Sequence, residues 1–137
     1  MRIPTMILVG AALLTGCKDS PTGVPEWIFR TFTLESIDGE QIPWQNETGT
    51  YSVISGSVTF YGDFRYERVR TIEGFEVQDI QTESGSFVVD GDRITMTQTR
   101  TGLSYKGTAR KEKVTLAAGP KNTGTGGQQS HFYEYKR

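Results

Sequence analysis

The sequence predicts an all-β fold, a single antiparallel up-and-down meander closing into an eight- to ten-stranded barrel. Three observations predict it. From Trp27 onward apolar residues recur at every second position, which turns one face of each segment inward and the other to water. The segments are rich in Thr, Val, Ile, Phe and Tyr and are separated by Gly and Asp, the residues of strands and tight turns. No stretch carries apolar side chains at the spacing of an amphipathic helix, so consecutive strands are joined by hairpins.

The first strand is expected over 28–37, where Phe32 and Leu34 alternate with polar residues, and Asp38-Gly39 ends it with residues that accept positive φ. Strands at 50–54 and 57–61 follow, the second with Val58 and Phe60 on one face. Gly62-Asp63 turns the chain into a strand at 64–72. Strands at 75–82 and 85–89 come next, and Gly91-Asp92 leads into 93–99, with Ile94 and Met96 on one face. A strand at 103–109, a turn at Arg110-Lys111-Glu112-Lys113, a strand at 113–118 and a closing strand at 130–136 complete the meander. Such a meander must hide its edges, and closure does so most economically. The expected interior is Phe32, Leu34, Val58, Phe60, Phe87, Val89, Ile94, Met96, Val114 and Leu116, with Trp27 plugging one end. Barrels of this size are filled by side chains or hold one small ligand.

The barrel occupies residues 26–137; what precedes it reads as an address. Arg2 supplies a positive charge, residues 6–14 are uninterruptedly apolar, and Thr15-Gly16 narrows to small residues before Cys17. That run is about half of the roughly 20 apolar residues a membrane-spanning helix needs, so it is a signal peptide (1–16). Leu14-Thr15-Gly16-Cys17 resembles the lipobox of bacterial lipoproteins, in which an aliphatic residue and two small ones precede the cysteine that is lipidated and becomes the first residue. The resemblance implies lipidation of Cys17, whose acyl chains each gain about 0.8 kcal/mol per buried methylene. The alternative is an ordinary secretory signal, or an uncleaved anchor, followed by a coincidental cysteine. Lys18 stands where aspartate would favour the inner membrane, which points to the outer membrane facing the periplasm. Residues 17–25 are then the lipidated cysteine and a Pro/Gly/Ser/Thr tether.

Removing residues 1–16 takes Arg2 away and leaves 14 basic against 16 acidic side chains, a formal charge of −2. No footprint for nucleic acid is present. Setting the tether aside as well leaves roughly 110 residues for the domain, enough for one core and too few for two. With Cys17, the only cysteine, committed to lipid, no disulfide staples the domain.

Trp27 with Leu34-Glu35-Ser36-Ile37-Asp38-Gly39 and Ile42-Pro43, Gly56-Ser57-Val58-Thr59-Phe60, the run from Gly85 to Met96, and the closing Phe132-Tyr133-Glu134-Tyr135-Lys136-Arg137 together resemble the small lipocalin-like domains of bacterial lipoproteins. The resemblance implies a lipocalin-like barrel and little about function, since one fold hosts many activities.

Candidate chemistry is sparse. His131 is the only histidine, and a Ser-His-Asp site would also need a placed serine; Gly102-Leu103-Ser104-Tyr105-Lys106-Gly107 misses the nucleophile-elbow spacing by one residue. A lone histidine without a free cysteine makes a poor zinc or copper site. Gly119-Pro120-Lys121-Asn122-Thr123-Gly124-Thr125-Gly126-Gly127 lacks the Lys-Ser/Thr pair of a phosphate loop and reads as a hairpin loop. Asp90-Gly91-Asp92 lacks the spaced carboxylates of a calcium loop and reads as a turn. No cofactor or metal is expected.

Phe64-Arg65-Tyr66-Glu67-Arg68-Val69-Arg70 is the informative segment. If Phe64 and Tyr66 face inward, strict alternation places Arg68 and Arg70 inward too, where charges need partners or a ligand anion. A bulge near Arg68, or a position at the rim, would send them outside, and this is the favoured expectation. Tyr133 and Tyr135 share one face of the last strand and either line a pocket or fill the core. The functional expectation is a non-catalytic, lipid-anchored envelope domain. It binds a small apolar ligand or an envelope protein, with Arg68, Arg70, Tyr133 and Tyr135 as candidate contacts. A hydrolase using His131 is the alternative.

Overall fold

The computed structural model describes residues 23–74, 77–118 and 131–137. The signal peptide, Cys17, most of the tether and the Gly119–Gly127 loop lie outside the described residues. A single 3-10 turn, Glu26–Ile28, leads into ten strands: β1 (Thr31–Ile37), β2 (Glu40–Gln41), β3 (Trp44–Gln45), β4 (Ser52–Phe60), β5 (Arg65–Gly74), β6 (Val77–Asp90), β7 (Arg93–Gln98), β8 (Ser104–Arg110), β9 (Lys113–Ala118) and β10 (His131–Lys136). Their order is β2-β1-β10-β9-β8-β7-β6-β5-β4-β3, and an added β1–β4 pairing closes the eight long strands into an antiparallel barrel. The all-β meander is as the sequence predicts.

Closure is local. Thr31–Thr33 pair with Thr59–Ser57, while the other end of β1, Ser36 and Ile37, pairs with β2. Beyond Thr33 β1 is no longer paired with β4, and it shifts register against β10 between Leu34 and Ser36; the short β2 and β3 flank the splayed seam, with Trp44 opposite Val53.

Two expectations about strand limits are corrected. Residues 52–54 and 57–60 belong to one strand, β4, which runs on through Ser55 and Gly56 with a register shift against β5 between Val53 and Ser55. Residues 77–82 and 85–89 are likewise parts of one 14-residue strand, β6. Gly85 lies in its middle because a Cβ there would meet the Thr97 carbonyl oxygen at 1.9 Å and the Tyr66 ring at 2.8 Å. It is a site of close approach, not a turn.

The turns follow residue chemistry with one exception. Asp38 and Gly39 both take positive φ (53° and 82°), and Gly91 (62°) opens the β6–β7 hairpin. At the β4–β5 turn the left-handed residue is Phe64 (φ 65°), not Gly62. Its ring packs against Phe29 and Phe87, with centroids 6.0 and 5.8 Å apart, and those contacts offset a cost of about 1–2 kcal/mol for a side chain in that conformation.

The interior differs between its two ends. One end is closed by Val24 and Ile28, both buried, over Phe29, Phe32, Phe60 and Phe87. Ile28 supplies the plug expected of Trp27, which is half-buried beside it, and Val89 is half-buried as well. The rest of the expected interior is buried. Toward the other end the inward residues change from phenylalanine to tyrosine and arginine: Tyr66, Arg68, Arg70, Tyr105, Tyr133 and Tyr135.

Candidate functional site

Strand β5 alternates strictly from Arg65 to Arg68, and its pairing is unbroken beyond. It pairs continuously with β6 from Arg65↔Ser86 to Gly74↔Val77, and Tyr66 and Arg68 are buried while Arg65 and Glu67 are exposed. The expected bulge near Arg68 is therefore absent, and Arg68, 4% exposed, points into the barrel. A charge is tolerated there because the register supplies its partner: Arg68 lies directly across from Glu83, and its Nη2 donates to Glu83 Oε1 at 3.2 Å. Arg70, one step along the same face, is half-buried toward the rim and lies across from Gln81.

Glu83 is the hub. Its Oε2 accepts from the Tyr66 hydroxyl at 2.8 Å, and its Oε1 accepts from the Tyr105 hydroxyl at 3.1 Å as well as from Arg68. Three donors of the protein itself take up most of its acceptor capacity. Burial, then the hydrogen bond to Glu83, pushes the Tyr66 hydroxyl far above its ordinary value. Burial does the same for Tyr105, with Glu83 adding to it.

The arginines are held by aromatic faces. The Arg68 guanidinium carbon lies 5.2 Å from the Tyr105 ring centroid and 5.4 Å from that of Tyr133, and Arg70 lies 5.6 Å from Tyr133. Arg70 Nη1 donates to the Tyr133 hydroxyl at 2.8 Å and Nη2 to Gln81 Oε1 at 2.9 Å. Burial opposes the charge on Arg68, but Tyr135 and Glu83 outweigh it and its pKa is raised. Burial pushes the Tyr135 hydroxyl up to about 12. Two buried polar atoms here have no hydrogen-bond partner among the described residues, Arg68 Nη1 and the Tyr135 hydroxyl.

Beside this cluster lies a cleft of about 360 Å³, lined by Arg68, Arg70, Gln81, Thr82, Glu83, Gln98 and Arg100. It exists because β6 outruns its neighbour: pairing with β7 begins only at Gly85↔Gln98, so the first half of β6 has β5 on one side alone. Three arginines against one glutamate give the lining a formal charge of +2.

Of the candidate contacts, Arg68 and Arg70 line the cleft, Tyr133 stacks on both, and Tyr135 is fully buried behind them. Glu83, Tyr66, Tyr105 and Arg100 complete the arrangement and were not singled out by the sequence. The missed signal was register: a β5–β6 pairing that starts at Gly74↔Val77 sets 68 against 83 and 70 against 81.

His131 is elsewhere at the same end. Its Nδ1 is 2.6 Å from Asp38 Oδ2, Asp38 Oδ1 accepts from the Phe132 backbone N–H at 2.8 Å, and the ring meets Trp44 edge-on at 5.0 Å. Ser104 is hydrogen-bonded to Thr97 instead. Among the described residues no group of three or more His, Cys, Asp or Glu is placed to hold a metal ion.

Comparison with known proteins finds no family model, no curated protein and no solved structure that matches this chain. What the barrel does is a question for its own side chains.

Proposed function

We propose that this protein is a lipoprotein of the cell envelope, anchored through Cys17 at the outer membrane and facing the periplasm, whose barrel binds a small molecule without transforming it. The observation that carries the binding part is the uneven interior, packed with phenylalanine at one end and leaving a cleft of about 360 Å³ at the other. The address rests on residues 1–17 of the sequence. A polar ligand is favoured over an apolar one, because none of the seven lining residues is apolar. An apolar occupant would strip water from arginine and glutamine groups without replacing their hydrogen bonds.

Native mass spectrometry of the full-length protein, extracted from its own membranes in detergent, tests the reading. The expected result is a barrel carrying a small molecule of defined mass, or taking one up from a metabolite extract. A protein that does neither is a scaffold for protein contacts, and for that role Val77 and Ile80 are the observation, 64% and 67% exposed on the free half of β6.

The hydrolase reading has one observation in its favour, the carboxylate of Asp38 set against the His131 ring. Turnover of ester or peptide substrates that disappears in His131→Ala would establish it, and no turnover in the unaltered protein removes it.

A further inference from the structure

We propose that the cleft beside β5 and β6 takes a small, water-soluble organic dianion, a phosphate monoester or a short dicarboxylate, whose oxygens accept hydrogen bonds from Arg68, Arg70 and Arg100. The assignment rests on the reading that this cleft is the ligand site, and adds the chemistry of the ligand.

Charge is the first argument. The domain is slightly acidic overall, yet the lining carries three cations and one anion. The one anion is already engaged: Glu83 accepts from Tyr66, Tyr105 and Arg68, and among the described residues it makes no ion pair with Arg70 or Arg100. The excess of two positive charges is unmatched by the protein and is the complement of a dianion.

The second argument is an unspent donor. Arg68 uses Nη2 on Glu83, while Nη1, buried on a side chain that lines the cleft, has no acceptor among the described residues. A buried guanidinium nitrogen left unpaired is costly, and an incoming oxyanion removes that cost. The guanidinium is also oriented in advance. The rings of Tyr105 and Tyr133 flank it, and Glu83 fixes its rotation, so little freedom is lost when an anion arrives.

Size and lining set the rest of the ligand. A volume of about 360 Å³ lies at the small end of ligand sites. Gln81, Thr82 and Gln98 offer amide and hydroxyl groups, and no apolar wall is available for an acyl tail. A fatty acid therefore does not fit the site, whereas a small polar acid does.

The test is calorimetric titration of the full-length protein in detergent with phenyl phosphate, succinate and inorganic phosphate, and with phenyl glucoside as a neutral probe. Saturable binding of at least one dianion is expected, with no binding of phenyl glucoside. Affinity should fall about tenfold in Arg100→Gln, a rim residue outside the buried cluster, and be abolished in the double variant Arg68→Gln/Glu83→Gln, which removes both buried charges together. A circular dichroism spectrum identical to that of the unaltered protein certifies the fold of each variant. Dianion binding that is unchanged in folded Arg100→Gln overturns the proposal. So does binding of the neutral probe as tight as that of the dianions, although the small-molecule reading then stands. If no probe binds and no ligand accompanies the protein from its membranes, both fall.

Discussion

Arg68 and Glu83 face each other across adjacent strands inside the barrel, 3.2 Å apart, with side chains only 5% and 13% exposed. Breaking such a pair from one side leaves a buried charge without compensation, which costs about 3–5 kcal/mol. Glu83→Ala is expected to lower stability by that amount, because it also strands the Tyr66 and Tyr105 hydroxyls. Arg68→Gln/Glu83→Gln should lose less than the sum of its two single changes. Urea unfolding of all four proteins gives the coupling energy directly, and strict additivity would show that the two side chains do not stabilise one another.

Gly85 makes a second, independent prediction. A methyl group at this position would overlap the Thr97 carbonyl and crowd the Tyr66 ring, so Gly85→Ala should cost about 3 kcal/mol through displaced backbone. Gly62 has nothing within 4 Å of its would-be Cβ, and Gly62→Ala should fall within about 0.5 kcal/mol of the parent. Paired thermal melts of the two variants test the contrast.

Alkali should unfold the domain through its tyrosines. Burial raises Tyr135 to about 12 in the folded protein, against an ordinary value of 10, and Tyr66, Tyr105 and Tyr51 are shifted the same way. The folded state therefore holds protons that the unfolded chain releases. For Tyr135, stability is fully present below pH 10 and falls as pH rises through the interval to about 12, by up to roughly 1.4 kcal/mol per pH unit, and the other three tyrosines add to the decline in the same direction. Because the Tyr135 hydroxyl has no hydrogen-bond partner among the described residues, Tyr135→Phe should flatten this decline at little or no loss near pH 7. Urea midpoints measured from pH 7 to 12 provide the check.

Replacing Cys17 by Ala should abolish incorporation of labelled fatty acid and release the protein from sedimenting membranes. Continued labelling of Cys17→Ala would place the lipid elsewhere or remove it from the account altogether.

The alternation of apolar residues made the barrel legible, and in β7, β9 and β10 it placed the apolar residues on the face they occupy, Ile94 and Met96, Val114 and Leu116, Tyr133 and Tyr135; in β5 it was set aside at Arg68, where the structure keeps it. Glycine was the source of error. Gly56 and Gly85 look like turn residues in a one-dimensional reading, but each marks a place where a neighbour comes too close for a side chain: Leu34 over Gly56, and Tyr66 with the Thr97 carbonyl over Gly85. Ending one strand at 82 and starting the next at 85 leaves Glu83 outside both, so in the sequence an inward Arg68 has no visible partner. Tyr105 and Arg100 reach the cluster only through pairings that run across β6, β7 and β8, which no local pattern encodes. Arg68, Arg70 and Tyr133 were legible because they depend on a single strand each.

The plug formed by Val24 and Ile28 bears on which way such a domain would be aimed. The described chain starts at Gly23, beside that plug at the phenylalanine-filled end, and six peptide links separate Gly23 from Cys17, a reach of about 20 Å when fully extended. If Cys17 is fixed in a bilayer, that sealed base lies over the lipid like the foot of a goblet, and the arginine-lined mouth is held out into the aqueous compartment. Cargo would then arrive from solution, out of reach of lipid tails below.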